Sequence, residues 1–421
     1  MSLKYHKVAI LGAAKTGISC ANFFLSRGSQ VLLSEIKKKE DIELKIPSDI
    51  SAEFGLHSSK VLNSDIIIPS PGIHSDIPIL SEARQQKIKI ISDIEVFYNL
   101  ADYKMIIAIT GTNGKTTTVS MVGEMLKKEG KKVIICGNIG NPVCDYINTS
   151  DKDTYVVMEV SSYQLEYTNE FKPHISAILN ITPDHMERHK TMDAYADAKS
   201  KIFTNQNKED LCIFNKEDEN CLKLSKQCKS QIKFFSVKEN KEKLVLKIPG
   251  RHNIENALAS LTMLKSAGIE EKKIVEVLSE FAGVEHRIEF VRELNGVKYI
   301  NDSKGTNVSS TEVALKSFNQ PIILIMGGRD KGSPYKPLIQ FVKGKVKKII
   351  AIGESKEKIF TELKDSVEII LLDNIAQAVK KANEIALSGD IVLFSPACAS
   401  FDQFKNYEER GKYFKQIVNE L

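Results

Sequence analysis

The stretch Met105-Ile106-Ile107-Ala108-Ile109-Thr110-Gly111-Thr112-Asn113-Gly114-Lys115-Thr116 runs from a buried-strand pattern straight into a glycine turn. Glycines let a backbone curl so that several N–H groups converge on one point, and a helix predicted over 117–129 adds its positive dipole end. Lys115 supplies a point charge and Thr116 a hydroxyl suited to Mg2+. The pattern predicts a nucleotide-phosphate site made by Gly111, Thr112, Asn113, Gly114, Lys115, Thr116 and Thr117. Its spacing is shorter than the usual G-x-x-x-x-G-K-[ST], because position 109 is Ile rather than Gly.

Strand-like and helical patterns alternate on both sides of this loop, which argues for parallel, doubly wound sheets. Strands are predicted at 7–11, 30–34 and 65–69 before it, and at 132–136, 154–160, 175–180 and 211–215 after it. Helices follow at 253–267 and 271–282. A third series of strands falls at 297–301, 322–326, 347–352, 368–372 and 391–395. For 421 residues this implies three consecutive α/β domains, at 1–97, 98–284 and 285–421.

Composition narrows the function classes. The net charge is +5 and the lysines are scattered, so no nucleic-acid footprint emerges. The seven cysteines contain no C-x-x-C pair, which predicts reduced thiols rather than a metal knuckle or a disulfide framework. The apolar runs are too short to span a bilayer. The expectation is a cytoplasmic enzyme.

Past the loop, Glu159 closes a predicted strand in Val157-Met158-Glu159-Val160-Ser161. An acid there, beside a phosphate loop, suits a Mg2+ ligand, though it could equally cap a helix. Asn180-Ile-Thr-Pro-Asp184-His185 follows another strand, where His185 reads either as a site residue or as an ordinary loop histidine. Lys199 lies in a helical pattern, where a lysine is ordinarily a solvated charge. Asn253 and Asn256 are three apart at a helix start, so they share a face; Asn253 could cap the helix, but capping explains one of the pair and not both.

Each outer domain carries its own strand-to-helix loops. In the third these are Asn301-Asp302-Ser303-Lys304-Gly305-Thr306-Asn307, Gly327-Gly328-Arg329-Asp330-Lys331-Gly332 and Ser395-Pro-Ala-Cys-Ala-Ser400-Phe-Asp-Gln-Phe-Lys-Asn-Tyr407, all expected at one sheet edge. Gly283-Val-Glu-His-Arg287 precedes them. The first domain has Gly12-Ala-Ala-Lys15-Thr16-Gly17 after its opening strand, a degraded dinucleotide fingerprint with Ala14 at the middle glycine. Glu35 holds the ribose-binding position of that pattern, and Ser70-Pro71-Gly72 closes the third predicted strand. The outer domains are therefore expected to be Rossmann-like and the central one P-loop ATPase-like.

Together these segments resemble the Mur ligase family, which builds the peptide of peptidoglycan precursors, along the whole chain and in the family's domain order. Asn301–Asn307 and the string from Ser395 through Tyr407-Glu-Glu-Arg-Gly411 are similar to its D-glutamate-adding branch. That resemblance implies a monomeric ATP-dependent ligase joining D-glutamate to UDP-N-acetylmuramoyl-L-alanine through an acyl phosphate. It implies catalytic roles for Lys115, His185, Lys199 and Lys304, and two Mg2+ ions held by Thr116, Glu159, His185 and a carbamylated Lys199. Asn253, Asn256, Arg287 and Asp302 would meet ATP. Lys15, Thr16, Glu35, Lys37, Ser70, Gly72, Asn138 and His185 would receive the UDP substrate, and Thr306, Lys331, Ser400 and Tyr407 would grip D-glutamate. Two positions depart from the family pattern: Ile36 replaces a hydroxyl residue and Lys15 an apolar one.

Overall fold

The computed structural model describes residues 5–42, 46–138, 141–239, 244–248, 250–330 and 332–421. The first segment builds β1 (Lys7–Leu11), α1 (Lys15–Ser26), β2 (Gln30–Glu35), β3 (Ser51–Phe54), β4 (Ile66–Pro69), α2 (Pro78–Gln85), β5 (Lys89–Ile90) and α3 (Asp93–Leu100). Its strands lie parallel in the order β3-β2-β1-β4-β5. The pleat sorts their side chains to two cores. Val8 and Ile10 pack with α1 and α3, whereas Ala9 and Leu11 pack with α2.

The middle segment contains β6 (Met105–Thr110), α4 (Lys115–Lys128), β7 (Val133–Gly137), β8 (Tyr155–Glu159), α5 (Ser162–Leu165) and β9 (Ile175–Ile178). It continues with α6 (Met186–His189), α7 (Met192–Ser200), β10 (Leu211–Asn215), α8 (Glu219–Ser225), β11 (Gln231–Phe235), α9 (Arg251–Ser266) and α10 (Glu271–Glu280). The sheet order is β11-β10-β9-β6-β8-β7, all parallel, so the phosphate-loop strand β6 lies inside it.

These two sheets form one compact unit with a shared apolar cluster. Polar links cross the seam. The Glu95 carboxylate, fully buried, accepts backbone N–H bonds from Asn169, Glu170 and Phe171 at 3.1, 2.8 and 3.0 Å. Both oxygens of Asp93 accept from Gln164 Nε2 at 3.0 Å. On α1, Ser19 donates to Asp145 at 2.5 Å, and Cys20 Sγ lies 3.3 Å from Cys144 Sγ.

The second compact unit holds β12 (Glu289–Leu294), β13 (Val297–Asn301), α11 (Val308–Lys316), β14 (Ile322–Gly327), α12 (Ile339–Val342), β15 (Val346–Ile352) and α13 (Lys356–Leu363). It ends with β16 (Glu368–Leu371), α14 (Ile375–Ile385), β17 (Ile391–Phe394) and α15 (Tyr407–Glu420). The order is β12-β13-β17-β14-β15-β16, with β12 antiparallel to β13 and the other pairs parallel. Leu324 and Met326 face one core, Ile323 and Ile325 the other. Helices covering both faces explain why these strands read as unbroken apolar runs. Among the described residues the cysteines are free thiols, and no helix is long and apolar enough to cross a membrane.

Candidate active site

The phosphate loop is shaped by what its glycines touch. Gly114 opens α4 at φ +86, a left-handed conformation that disfavours any Cβ. Gly111, at φ +150, would press a Cβ to 3.1 Å from Leu179 Cβ and 3.3 Å from Asn180 N. Asn180 then fastens the loop from β9. Its Oδ1 accepts from Asn113 N at 2.8 Å, its Nδ2 donates to Asn113 O at 3.1 Å, and its carbonyl accepts from Thr112 N at 2.9 Å. Lys115 Nζ donates to the carbonyls of Gly111 and Thr112, both at 2.8 Å. Hydrogen bonds from Asn180 and Lys115 hold the loop backbone, with α4's first amides at its mouth.

Thr116 and Glu159 meet beside it, the Thr116 hydroxyl donating to Glu159 Oε2 at 2.8 Å. Asn138 Nδ2 donates to the other oxygen at 2.8 Å, so the structure puts Asn138 on the same carboxylate. The close pairing explains Gly137, whose Cβ would lie 2.2 Å from Glu159 O. A buried carboxylate and a hydroxyl are hard oxygen donors of the kind Mg2+ takes. Among the described residues no group of three or more His, Cys, Asp or Glu forms a closed metal cluster. The donor set therefore suits an ion that keeps waters and phosphate oxygens.

Lys199 overturns the expectation of a solvated helix lysine. It is 1% exposed, and its Nζ donates to Gly111 O at 3.0 Å and lies 4.5 Å from the Tyr195 ring centre. Burial, reinforced by the Lys115 charge, holds its ammonium well below the usual lysine range against the pull of Asp184 and Glu159. Tyr195 sits one turn earlier on α7, and its hydroxyl is 3.3 Å from Thr112 Oγ1. The His185 ring is 6.4 Å from Tyr195 and 4.9 Å from Tyr163, and its backbone takes a left-handed φ of +57. Tyr195 thus contacts the phosphate loop, Lys199 and His185, which no periodicity in the sequence announces.

Asn253 does not cap its helix. α9 begins at Arg251, so Asn253 lies inside the first turn, buried with Asn256, whose Nδ2 is 3.5 Å from Asn253 Oδ1. The capping alternative is excluded because the helix starts two residues earlier, which an asparagine near a helix start does not by itself mark.

In the first sheet, the loop after β1 is packed so tightly that a Cβ on Gly17 would lie 1.9 Å from Gly12 O. Glu35 spends both oxygens on backbone amides, taking Ala13 N at 2.7 Å and Lys37 N at 2.9 Å. Ser70 Oγ donates to Gly12 O at 3.3 Å. Lys15, Lys37 and Gly72 are exposed and Thr16 half-buried around this strand edge. Arg188 reaches it from α6 and donates to Pro71 O at 3.1 Å.

In the second unit, β13, β17 and β14 are adjacent parallel strands, so their three following loops share one edge. Asp302 is buried, accepting from Ser395 Oγ at 2.7 Å and Ile288 N at 3.2 Å. Burial pushes its carboxyl up to about 6, against the charges of Arg287 and Arg410. Arg287 Nε is buried without a hydrogen-bond partner among the described residues, a donor suited to a ligand oxygen. Lys304 Nζ lies 5.5 Å from the Tyr407 ring centre, joining two of the expected residues. Thr306 is half-buried and Ser400 buried in neighbouring loops. Lys331 lies outside the described residues.

Arg410 was not singled out in the sequence, yet it fixes these loops. Its guanidinium donates to Ser303 Oγ and O, Cys398 O and Ala399 O at 2.8–3.2 Å. The available signal was an arginine in the quoted C-terminal string, on a helix that α15's own pattern makes amphipathic.

Comparison with known proteins bears on the family and the fold. Residues 6–92 match the Mur ligase MurD-like N-terminal domain, 109–245 the Mur ligase middle domain and 286–398 the Mur ligase glutamate ligase domain. The UDP-N-acetylmuramoylalanine--D-glutamate ligase of Clostridioides difficile (strain 630) is 41% identical, with 100% of each chain covered. The enzyme of that name from Koribacter versatilis (strain Ellin345) is 40% identical over 100% of this chain and 99% of its own. Among solved structures, the UDP-N-acetylmuramate-alanine ligase MurC of Thermotoga maritima superposes with a TM-score of 0.62 at 21% identity, covering 98% of this chain and 99% of its own. E. coli FolC in complex with DHPP and ADP gives 0.59 at 15%, covering 83% and 99%; both likenesses concern the fold. With all three domain types in order and full-length relatives at this identity, the chain belongs to the Mur ligase family.

Proposed function

We propose that this protein is a cytoplasmic, monomeric ligase that uses ATP to join D-glutamate to UDP-N-acetylmuramoyl-L-alanine. One observation carries the reading: Thr116, Glu159 and buried Lys199 gather on a single phosphate loop, in a chain whose full-length relatives bear that name. The division of labour follows the three domains, 1–97 for the UDP substrate, 98–284 for ATP and 285–421 for D-glutamate and part of ATP.

The γ-phosphoryl of ATP passes to the alanine carboxylate, giving ADP and an acyl phosphate. The D-glutamate amine attacks that carbonyl, loses a proton, and phosphate leaves as the amide forms. Phosphorylation is needed because an unactivated carboxylate offers only a poor leaving group. Lys115 turns from its loop carbonyls to the transferring phosphoryl, while the α4 amides hold the neighbouring phosphates. Lys304 accompanies it from the third domain.

Thr116 and Glu159 would hold one Mg2+, and His185 with Lys199 a second. Bound there, Mg2+ would supply positive charge against the phosphates and the acceptor carboxylate. An ammonium cannot ligate a cation, so we infer that the Lys199 amine adds CO2 and releases a proton to become a carbamate. A depressed pKa favours the neutral amine that this step needs. Asn253, Asn256, Arg287 and Asp302 contact ATP. Lys15, Thr16, Glu35, Lys37, Ser70, Gly72, Asn138 and His185 contact the UDP substrate, with Glu35 acting through the backbone amides it holds. Thr306, Lys331, Ser400 and Tyr407 bind D-glutamate.

The test is phosphate release by purified protein with ATP, Mg2+ and UDP-N-acetylmuramoyl-L-alanine, across candidate amino acids. D-glutamate should support turnover. Turnover with L-alanine, diaminopimelate or L-glutamate instead would overturn the acceptor assignment.

A further inference from the structure

We propose that Arg188 is the positioning residue that keeps the acceptor-binding loop after β4 in register with the loop carrying His185; this rests on the ligase reading above. Arg188 lies on α6, three residues beyond His185. Its side chain is 4% exposed, and each edge of the guanidinium is engaged. Nε and Nη2 donate to the two oxygens of Glu166 at 3.1 and 2.6 Å, Nη1 donates to Pro71 O at 3.1 Å, and Cζ stands 4.2 Å from the Tyr163 ring centre.

The fork geometry gives these contacts their meaning. A carboxylate bound side-on fixes the guanidinium plane, so the remaining donor direction is not free to wander. That direction falls on the carbonyl between Ser70 and Gly72, two residues assigned to the UDP substrate. Ser70 is tied in turn to Gly12 O, so Arg188 holds the far side of a loop whose near side is already fastened. The Tyr163 ring covered by Arg188 is also the ring 4.9 Å from His185. One side chain therefore touches the acceptor loop of the first sheet and the aromatic support of a proposed metal residue on the second. The seam links described above hold α3, from Glu95 and Asp93, or α1, from Ser19 and Cys20, rather than this loop.

The acceptor must place its nucleotide end on one sheet and its reacting carboxylate on the other. A misplacement of about 1 Å at the reacting end can cost on the order of 100-fold in rate. Lysine cannot replace the fork, since a single ammonium cannot bridge Glu166 and Pro71 in one plane.

The test compares Arg188→Lys, Arg188→Gln and the volume-preserving Glu166→Gln with the wild type in steady-state phosphate release. KM for UDP-N-acetylmuramoyl-L-alanine should rise about tenfold or more and kcat should fall, with KM for ATP within about twofold. Glu166→Gln should move the same constants in the same direction by less, and added guanidinium ion should partly restore Arg188→Gly. An unchanged acceptor KM in folded Arg188→Lys and Glu166→Gln would overturn the proposal. So would a parallel rise in all three KM values with a lowered melting temperature, the signature of general loosening. A wild-type protein that releases no phosphate with D-glutamate would instead defeat the ligase reading itself.

Discussion

Gly114 and Asn256 stand so close that a single added carbon would push the amide aside: a Cβ on Gly114 would lie 2.2 Å from Asn256 Oδ1. The left-handed φ at Gly114 adds a second reason for glycine there. Gly114→Ala should lower ATP-dependent turnover on the order of 100-fold by displacing the loop from the phosphates. Gly114→Ala/Asn256→Ala relieves the clash but keeps the backbone strain and loses a proposed ATP contact, so it should recover only part of the nucleotide binding measured by calorimetry. Full recovery would show that neither the backbone conformation at 114 nor the Asn256 amide matters for nucleotide binding.

Lys199→Ala should abolish phosphate release, and short carboxylic acids should restore part of it by supplying the missing oxygen ligand. Carbon-13 NMR of protein equilibrated with labelled bicarbonate should show one carbamate signal that the variant lacks. Full turnover by Lys199→Ala without any added acid would rule the carbamate out.

Asp93 is fully buried, and burial pushes its carboxyl up to about 6 against the hydrogen bonds of Gln164. Its folded value lies above an unfolded value of about 3.9, so the folded protein holds the extra proton between those limits. Stability should therefore fall as pH rises through about 4 to 6, and the cost of the buried charge is complete above that window. Asp93→Asn should raise stability at pH 8 by up to about 3 kcal/mol, the gain vanishing toward pH 4. Denaturant melts at the two pH values measure this; an equal effect at both would refute it.

Arg410→Lys should destabilise the second unit by about 3 kcal/mol, because an ammonium cannot serve the Ser303 and Cys398–Ala399 carbonyls together. The same change should raise KM for D-glutamate more than KM for ATP. A melt indistinguishable from wild type would show that those carbonyls find other donors.

Central strands were legible in the sequence because burial on both faces leaves a continuous apolar run, as in β6 and β14. The edge strands β3, β5, β11 and β12 were missed for the complementary reason. Ser51-Ala-Glu-Phe54 and Gln231-Ile-Lys-Phe-Phe235 expose much of their surface and carry mixed polarity. The phosphate loop was readable since its chemistry is local in the chain. Lys199 was not readable from its surroundings, because Asp193, Asp197 and Ser200 make α7 look like a solvated helix. Its ammonium meets Gly111 O, 88 residues back along the chain, a contact that sequence spacing does not encode. Arg188 and Asn180 are silent in the same way, since each acts on a backbone atom far along the chain.

The Glu95 contacts set where this protein can be cut and rejoined. Residue 97 falls inside α3, whose Glu95 carboxylate accepts from the amides at 169–171. A hybrid that takes its first domain from a relative should tolerate a junction ahead of Ser92, which leaves helix and amides with the same parent. A junction after Leu100 would pair a foreign carboxylate with resident amides. As a unit of exchange, α3 travels with the second domain.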